Sequence, residues 1–477
     1  MTSRNLLVGP FNRVEGDLEI RLEVADGRVT AARANSPMFR GFEPMMLGKD
    51  PIDALTITPR ICGICSISQS FAAAAALGNA AGVSPAPQGA LGAALMHGIE
   101  NICDHLTHFN LFFCADLARP AYAGRSWHPR AVERFTAMEG SATRSWVEAR
   151  AKILHIVGLL GGKWPHTLAI QPGGITRAPT ARDRVRILSV LAAFRRYLET
   201  VLFGASVEDF AELSSAAEVR KWGRGDAGLF MEIAADLDFE NMGAGPERYM
   251  SFGAYPLPEG RAFASGVWSE GQLSPVDTAK IKEDLSHAWM LGEAAHPNNG
   301  VTIPDEDMRE DAYSWCKAPR LDGKTMETGA FARQVIDGHP AAVDLALSGS
   351  SVFARVAGRL IEVARTQMLL EDWARRITPE ARFMDSVTLA KSGKGEGLVE
   401  AARGALGHWI DIRDGKIASY QIVAPTTWNF SPRDAAGVPG PVESALEGAV
   451  VGDDEDTPLT VQHIVRSFDP CMVCTVH

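Results

Sequence analysis

Apolar residues recurring every three and four positions over long stretches, two short alternating runs closed by Asp-Gly, and the lack of linker-like tracts predict an α+β chain. It should be predominantly helical, with a central bundle of long helices and small peripheral antiparallel sheets. In chain order, Leu18, Ile20, Leu22 and Val24 alternate with polar residues into Asp26-Gly27 and on to Val29, a β-hairpin at about 15–35. Leu91, Leu95, Ile99, Ile102, Leu106, Phe109 and Phe113 then form one helical stripe, and similar stripes run over about 142–160, 181–203 and 340–375. A second hairpin is read from Ile410-Asp-Ile-Arg-Asp-Gly415 followed by Ile417 to Val423.

No repeat or low-complexity tract interrupts the 477 residues, so a single domain over 1–477 is expected. The net charge of -11 and the pI near 5.6 argue against nucleic acid as a partner. No apolar run is long enough to span a bilayer, and Met1-Thr-Ser-Arg-Asn-Leu-Leu-Val-Gly9 lacks a signal-peptide core. A soluble chain without direct membrane insertion is therefore expected. Seven cysteines, an odd number without a disulfide-like framework, fit a reducing, cytoplasmic compartment.

The chemistry concentrates in two cysteine pairs at opposite ends, Cys62/Cys65 in Arg60-Ile-Cys-Gly-Ile-Cys65 and Cys471/Cys474 within the closing segment at about 460–477. A lone Cys-x-x-Cys is as readily explained by core packing. Two such pairs, each able to chelate through soft thiolates, point to one metal site. Structural zinc usually staples a small, core-poor module, whereas a site closed across a chain this long is more plausibly catalytic.

These motifs resemble the signatures of the nickel-iron hydrogenase large subunit. So, in family order, do Asn12-Arg-Val-Glu-Gly16, Arg40-Gly-Phe-Glu43, Gly162-Lys-Trp-Pro-His166 with Gly173-Gly174, Ala402-Arg-Gly-Ala-Leu406 with His408, and Pro425-Thr-Thr-Trp-Asn429. The resemblance covers essentially the whole chain. It implies nickel held by Cys62, Cys65, Cys471 and Cys474, with Cys65 and Cys474 bridging to an iron that carries cyanide and carbon monoxide. Heterolytic cleavage of H2 needs a hydride acceptor and a base. The resemblance implies the metal pair for the first, the Cys471 thiolate for the second, and Glu15 as the group that carries the proton away.

Around that centre the resemblance implies Arg403 as the compensating cation, Thr426 as a hydroxyl donor to cyanide, and Asp104 and Asp469 as carboxylates holding Arg403. Ala402 stands where many members have proline before that arginine. Without the resemblance, Glu15 and Arg403 would be read as exposed, and His97, seven residues before Asp104, as part of a solvated helix face. Glu43, the His477 side chain and the Ile422 carbonyl match a second site that usually holds magnesium, with iron or manganese also compatible. The family's precursors lose an extension after this histidine, so a chain ending here is expected to be mature or made without a tail.

Cys103, Cys114 and Cys316 lack the count and spacing for an iron-sulfur cluster, so electrons need another protein. The resemblance implies an iron-sulfur small subunit, docking where the Cys62 segment and the Glu15 loop reach the surface, and maturation chaperones that load the metals. Ile64 and Phe112 match the bulky gas-channel pair of the hydrogen-sensing branch, whose members signal to a histidine kinase. A regulatory sensor is expected ahead of an energy-conserving uptake enzyme. The readings of another class are a structural zinc protein and a respiratory-complex-like subunit.

Overall fold

The computed structural model describes residues 3–389, 391–452 and 455–477. The fold class is as expected, helices at the centre with small antiparallel sheets around them. The N-terminal hairpin forms between β2 (Glu19–Ala25) and β3 (Arg28–Asn35), and β1 (Ser3–Val8), not anticipated from the pattern, adds to its edge as β1-β2-β3. The hairpin begins at Glu19, not at 15, because Glu15 pairs instead with Cys471 at the far end of the chain.

Directly after Cys65 comes α1 (Ser66–Ala81), an alanine-rich helix whose weak stripe escaped the periodicity reading. The Leu91–Phe113 stripe becomes α2 (Pro87–Thr107) and a π-helical turn, His108–Phe113, which rotates the last residues relative to the helix. Helix α3 (Ser141–Gly161) follows as expected, and the 181–203 stripe becomes α4 (Ala181–Tyr197), which opens with a capping box between Thr180 and Asp183 and passes into a second π-helical turn, Leu198–Leu202. The single helix expected over 340–375 is two. Pro340–Ala346 stops at Leu347-Ser-Gly-Ser-Ser351, where Gly349 takes a φ of 86°, and Ser351 caps α5 (Val352–Arg376) through its Oγ and the Ala354 N–H at 3.1 Å.

The second sheet is β4 (Gly393–Ala401), β5 (Gly404–Arg413) and β6 (Lys416–Val423), in that order. The expected hairpin is β5–β6; β4 was not read, since Gly-Lys-Gly-Glu-Gly dilutes its alternation. Those glycines let the strand lie on the alanine face of α1. A Cβ on Gly397 would sit 1.9 Å from the Ala72 carbonyl oxygen and 2.7 Å from the Ala76 nitrogen. Gly397→Ala is therefore expected to lower stability by about 3 kcal/mol, from overpacking against backbone that cannot move away. Gly158→Ala, with nothing within 4 Å of the new carbon, should be neutral or slightly stabilising. Urea unfolding of the two variants checks the contrast.

Candidate metal centre

The packing of β4–β5 on α1 places a two-residue turn, Ala402-Arg403, over the start of that helix. Cys62 lies in the turn before α1 and Cys65 in its N-cap position, so the helix start carries both thiols inward. The other pair arrives on the last segment. Helix α6 (Leu459–Ser467) ends, Asp469 takes a φ of 57°, and Cys471 and Cys474 enter a short turn closed by the Cys474 N–H to the Cys471 carbonyl at 3.0 Å. Two side devices join the ends. Glu15 N–H donates to the Pro470 carbonyl at 3.4 Å and Met472 N–H to the Glu15 carbonyl at 2.7 Å. Arg40 donates to the Ile61 carbonyl and, at 3.2 Å, to the Val473 carbonyl.

All four sulfurs thereby lie within 4.8 Å of one another, all buried. Sγ of Cys471 is 2.9 Å from that of Cys474 and 3.5 Å from that of Cys62, and the sulfurs of Cys65 and Cys474 are 3.3 Å apart. Four buried thiols cannot all ionise without a cation among them. Hydrogen bonds from its three neighbours hold Cys62 well below the usual thiol range, whereas at Cys471 burial, reinforced by Cys474 and Cys62, pushes the thiol well up. The donor set is that of a soft transition metal.

Of the residues expected around the cofactor, all but Ala402 come to this cluster. Cys65, Arg403, Thr426, Cys471 and Cys474 line one small cavity with Gln69. Arg403 is 3% exposed and donates from Nη1 to Asp104 Oδ2 at 2.6 Å, from Nη2 to Asp469 Oδ1 at 3.1 Å and from Nε to the Asp469 carbonyl at 2.9 Å. It is buried, not on the surface. Burial pushes Asp104 well up despite Arg403; at Asp469, burial is outweighed by Arg403, His108 and Arg359, which keep that carboxyl below its usual range. Thr426 Oγ1 accepts from the Cys471 N–H at 3.1 Å. Ala402 does not line the cavity; its carbonyl accepts from Arg333 at 2.8 Å.

Glu15 is half-buried on the loop that pairs with Cys471. Burial raises its pKa, Cys62 adds to the rise, and Arg403 and Arg40 oppose it. His97, expected on a solvated face, is fully buried. It stacks on Phe71 at 5.2 Å, and its Nε2 meets Ser68 Oγ at 3.1 Å, because α2 runs through the middle of the bundle. Ile64 lines a small cavity beside Asp104. Phe112 sits in the π-helical turn, and its carbonyl accepts from Arg13 at 3.3 Å; it does not line that cavity.

The second expected cluster also converges. Glu43 Oε1 accepts from the Ile422 N–H at 2.7 Å, and His477 Nε2 lies 2.5 Å from the Ile422 carbonyl and 3.4 Å from Glu43 Oε1. The pattern reading missed Lys317. Its ammonium is buried against Glu43 Oε2 at 3.1 Å, Gln421 Oε1 at 2.9 Å and Glu283 Oε2 at 3.5 Å. Burial works against a charged Glu43, but Lys317 and His477 outweigh it and hold the carboxyl at about 2. Asp116 was missed too. Fully buried, it takes Arg13 on one oxygen and Arg466 on the other at 2.5 Å, which ties the Glu15 loop to α6. No local pattern marks either residue, since each acts between segments distant in sequence.

The model of the nickel-dependent hydrogenase family matches residues 40–119 and 144–477. The chain belongs to this family. It is 30% identical, over 98% of its length and 94% of the relative's, to the periplasmic [NiFeSe] hydrogenase large subunit of Desulfomicrobium baculatum. With the uptake hydrogenase large subunit of Afipia carboxidovorans it shares 27% identity, covering 100% of this chain and 95% of that one. A solved structure of H2-activated Dm. baculatum [NiFeSe]-hydrogenase superposes with a TM-score of 0.87 at 28% identity, over the whole of both chains. This hydrogenase chain is thus an oxidoreductase large subunit, and its cysteine cluster suits the family's nickel-iron centre. Among the described residues, no helix of the hydrogenase is long and apolar enough to cross a membrane.

Proposed function

We propose that this large subunit splits H2 heterolytically at a nickel-iron centre held by Cys62, Cys65, Cys471 and Cys474. The convergence of four buried sulfurs within 4.8 Å carries the reading. The centre, when bound, supplies the site of H2 cleavage, with iron keeping cyanide and carbon monoxide as ligands. Arg403 offsets negative charge there and is aimed by Asp104 and Asp469. The Thr426 hydroxyl, already accepting from the Cys471 N–H, retains its own proton to donate into the cavity.

Cys471 Sγ is the proton acceptor in this scheme and Glu15 the next station, because the backbone bridge between the two residues sets them side by side. The raised pKa of Glu15 suits a group that takes up and releases a proton. Glu15→Gln is expected to lower hydrogen oxidation by about 100-fold or more with metal content unchanged. An unaltered rate would remove Glu15 from the proton path. Nickel and iron analysis, with infrared bands of bound cyanide and carbon monoxide, tests the centre itself; zinc alone would overturn it.

A second cation, magnesium by its oxygen-rich surroundings, is assigned to Glu43, the Ile422 carbonyl and His477. The fit is supported by Glu283 Oε1, buried beside Lys317 with no protein partner among the described residues. Electrons leave through an iron-sulfur small subunit. The exposed apolar side chains Met38, Met45, Leu47 and Ile52, which bracket the Arg40 segment leading to Cys62, offer it a docking surface.

For the biological role we infer a cytoplasmic regulatory hydrogen sensor that addresses a histidine kinase through its complex. Its support is the bulky Ile64 side chain between Cys62 and Cys65, and seven unpaired, buried cysteines. The uptake relative favours an energy-conserving role instead. Slow turnover that persists in oxygen supports the sensor; fast turnover abolished by oxygen supports uptake.

A further inference from the structure

Asp104 uses only half of its carboxylate. Oδ2 accepts from Arg403, while Oδ1 is buried and meets no donor among the described residues. Nε of Arg150, on α3, is likewise buried without an acceptor, although its guanidinium lies 4.8 Å above the Trp164 ring. Both side chains line one cavity of about 40 Å³, together with Ile64, Trp164, Thr107 and Glu100.

Glu100 serves neither of them. Its oxygens accept from the Ile67 and Ser68 N–H groups at 2.8 Å each, from Ser68 Oγ at 3.0 Å and from Trp164 Nε1 at 3.1 Å. Thr107 Oγ1 gives its proton to the Cys103 carbonyl at 2.7 Å and keeps acceptor capacity. A bound water needs about 10–15 Å³ and two to four polar partners, and this cavity provides more room than that with one N–H donor and two oxygen acceptors. Two acidic side chains disfavour an anion here, and although Ile64 and the Trp164 ring make much of the wall apolar, an unpaired guanidinium N–H and an unpaired carboxyl oxygen call for a polar occupant. Arg150, Thr107, Ile64 and Trp164 are all partly exposed, so water enters from the surface without passing the thiols.

We propose that this cavity binds one or two ordered waters that accept from Arg150 Nε and donate to Asp104 Oδ1. Arg150 is then a positioning residue, fixing the carboxylate that aims Arg403 over the four sulfurs. The positioning role rests on the proposed role of Arg403; the water site does not.

The test uses the metal-loaded enzyme with its partner subunit. A crystal structure that resolves ordered water should show density within hydrogen-bond distance of both Asp104 Oδ1 and Arg150 Nε. A dry cavity, or Asp104 turned onto a protein donor, overturns the water site whatever the enzyme's activity. Arg150→Met keeps the apolar stem and removes the donor. It is expected to lose that water and to lower kcat about three- to tenfold, with KM for hydrogen, metal content and unfolding midpoint unchanged. Arg150→Lys should restore most of kcat. An unchanged kcat, or a fall that tracks lost metal or lost stability, overturns the positioning role.

Discussion

Serine in place of any one of Cys62, Cys65, Cys471 or Cys474 is expected to abolish hydrogen oxidation, by at least about a thousandfold, and to cut bound nickel severely. The hydroxyl is isosteric, so the fold should survive. It does not ionise near neutral pH, however, and a hard oxygen is a poor substitute for a soft thiolate at such a metal. The seven cysteines provide their own control. Cys316 is fully buried with a thiol pushed far up by burial, and among the described residues its Sγ donates only to carbonyl oxygens of Lys317, at 3.2 Å, and Thr427, at 3.8 Å. Cys316→Ser should retain nickel and most of the activity. Elemental analysis of the five variants checks both halves; a Cys471→Ser chain with full nickel would contradict the assignment.

The second large effect is on stability against acid. Burial lowers His97, His108 and His408 to about 3 and His463 to about 4, from an ordinary 6.5. These histidines stay neutral in the fold but take up protons once the chain unfolds, so each lowers stability as pH falls below 6.5. Burial acts oppositely on Glu100 and Glu443, raising both to about 7. They hold protons in the fold that the unfolded chain releases, which favours the fold as pH falls from 7 to 4.5. At Glu43 and Glu362, burial is outweighed by Lys317 and Arg333 respectively, which hold them at about 2; their contribution is present above 4.5 and lost below it.

Among these eight groups, each acting at about 1.4 kcal/mol per pH unit, the four histidines outweigh the two raised carboxyls, so stability should fall as pH drops from 6.5 to 4.5. Below 4.5 the fall steepens, because Glu100 and Glu443 no longer oppose it while Glu43 and Glu362 add to the histidines. Urea midpoints across this range measure it, and His97→Gln should flatten the upper slope by about one proton. A chain equally stable at pH 6.5 and 4 would contradict the account.

How much of this was legible varies by element. Helices α2, α3 and α4 and the β2–β3 and β5–β6 hairpins carry strong local periodicity, and each formed where the pattern put it, give or take the π-helical turns after Thr107 and Tyr197. Helix α1 and strand β4 were invisible because alanine and glycine carry little apolar signal. They are small so that helix and strand can approach closely, a requirement of the pair that neither segment shows alone. The break at Leu347–Ser351 was readable in its Ser-Gly-Ser-Ser and was overridden by the stripe on either side.

For the site, residue types and spacing were sufficient to nominate the four cysteines, and the resemblance supplied Glu15, Arg403, Thr426 and the Glu43 cluster. Metal-binding chemistry is written in side-chain identity, which is local and survives in one dimension. Environment is not. That Arg403 and His97 are buried, that Lys317 rather than solvent faces Glu43, that Asp116 ties Arg13 to Arg466, and that Asp104 Oδ1 meets no donor among the described residues and shares a cavity with Arg150 all depend on which surfaces meet. Desolvation and charge pairing set the behaviour of these groups, and both are properties of neighbours tens to hundreds of residues away along the chain, so they existed only once it had folded.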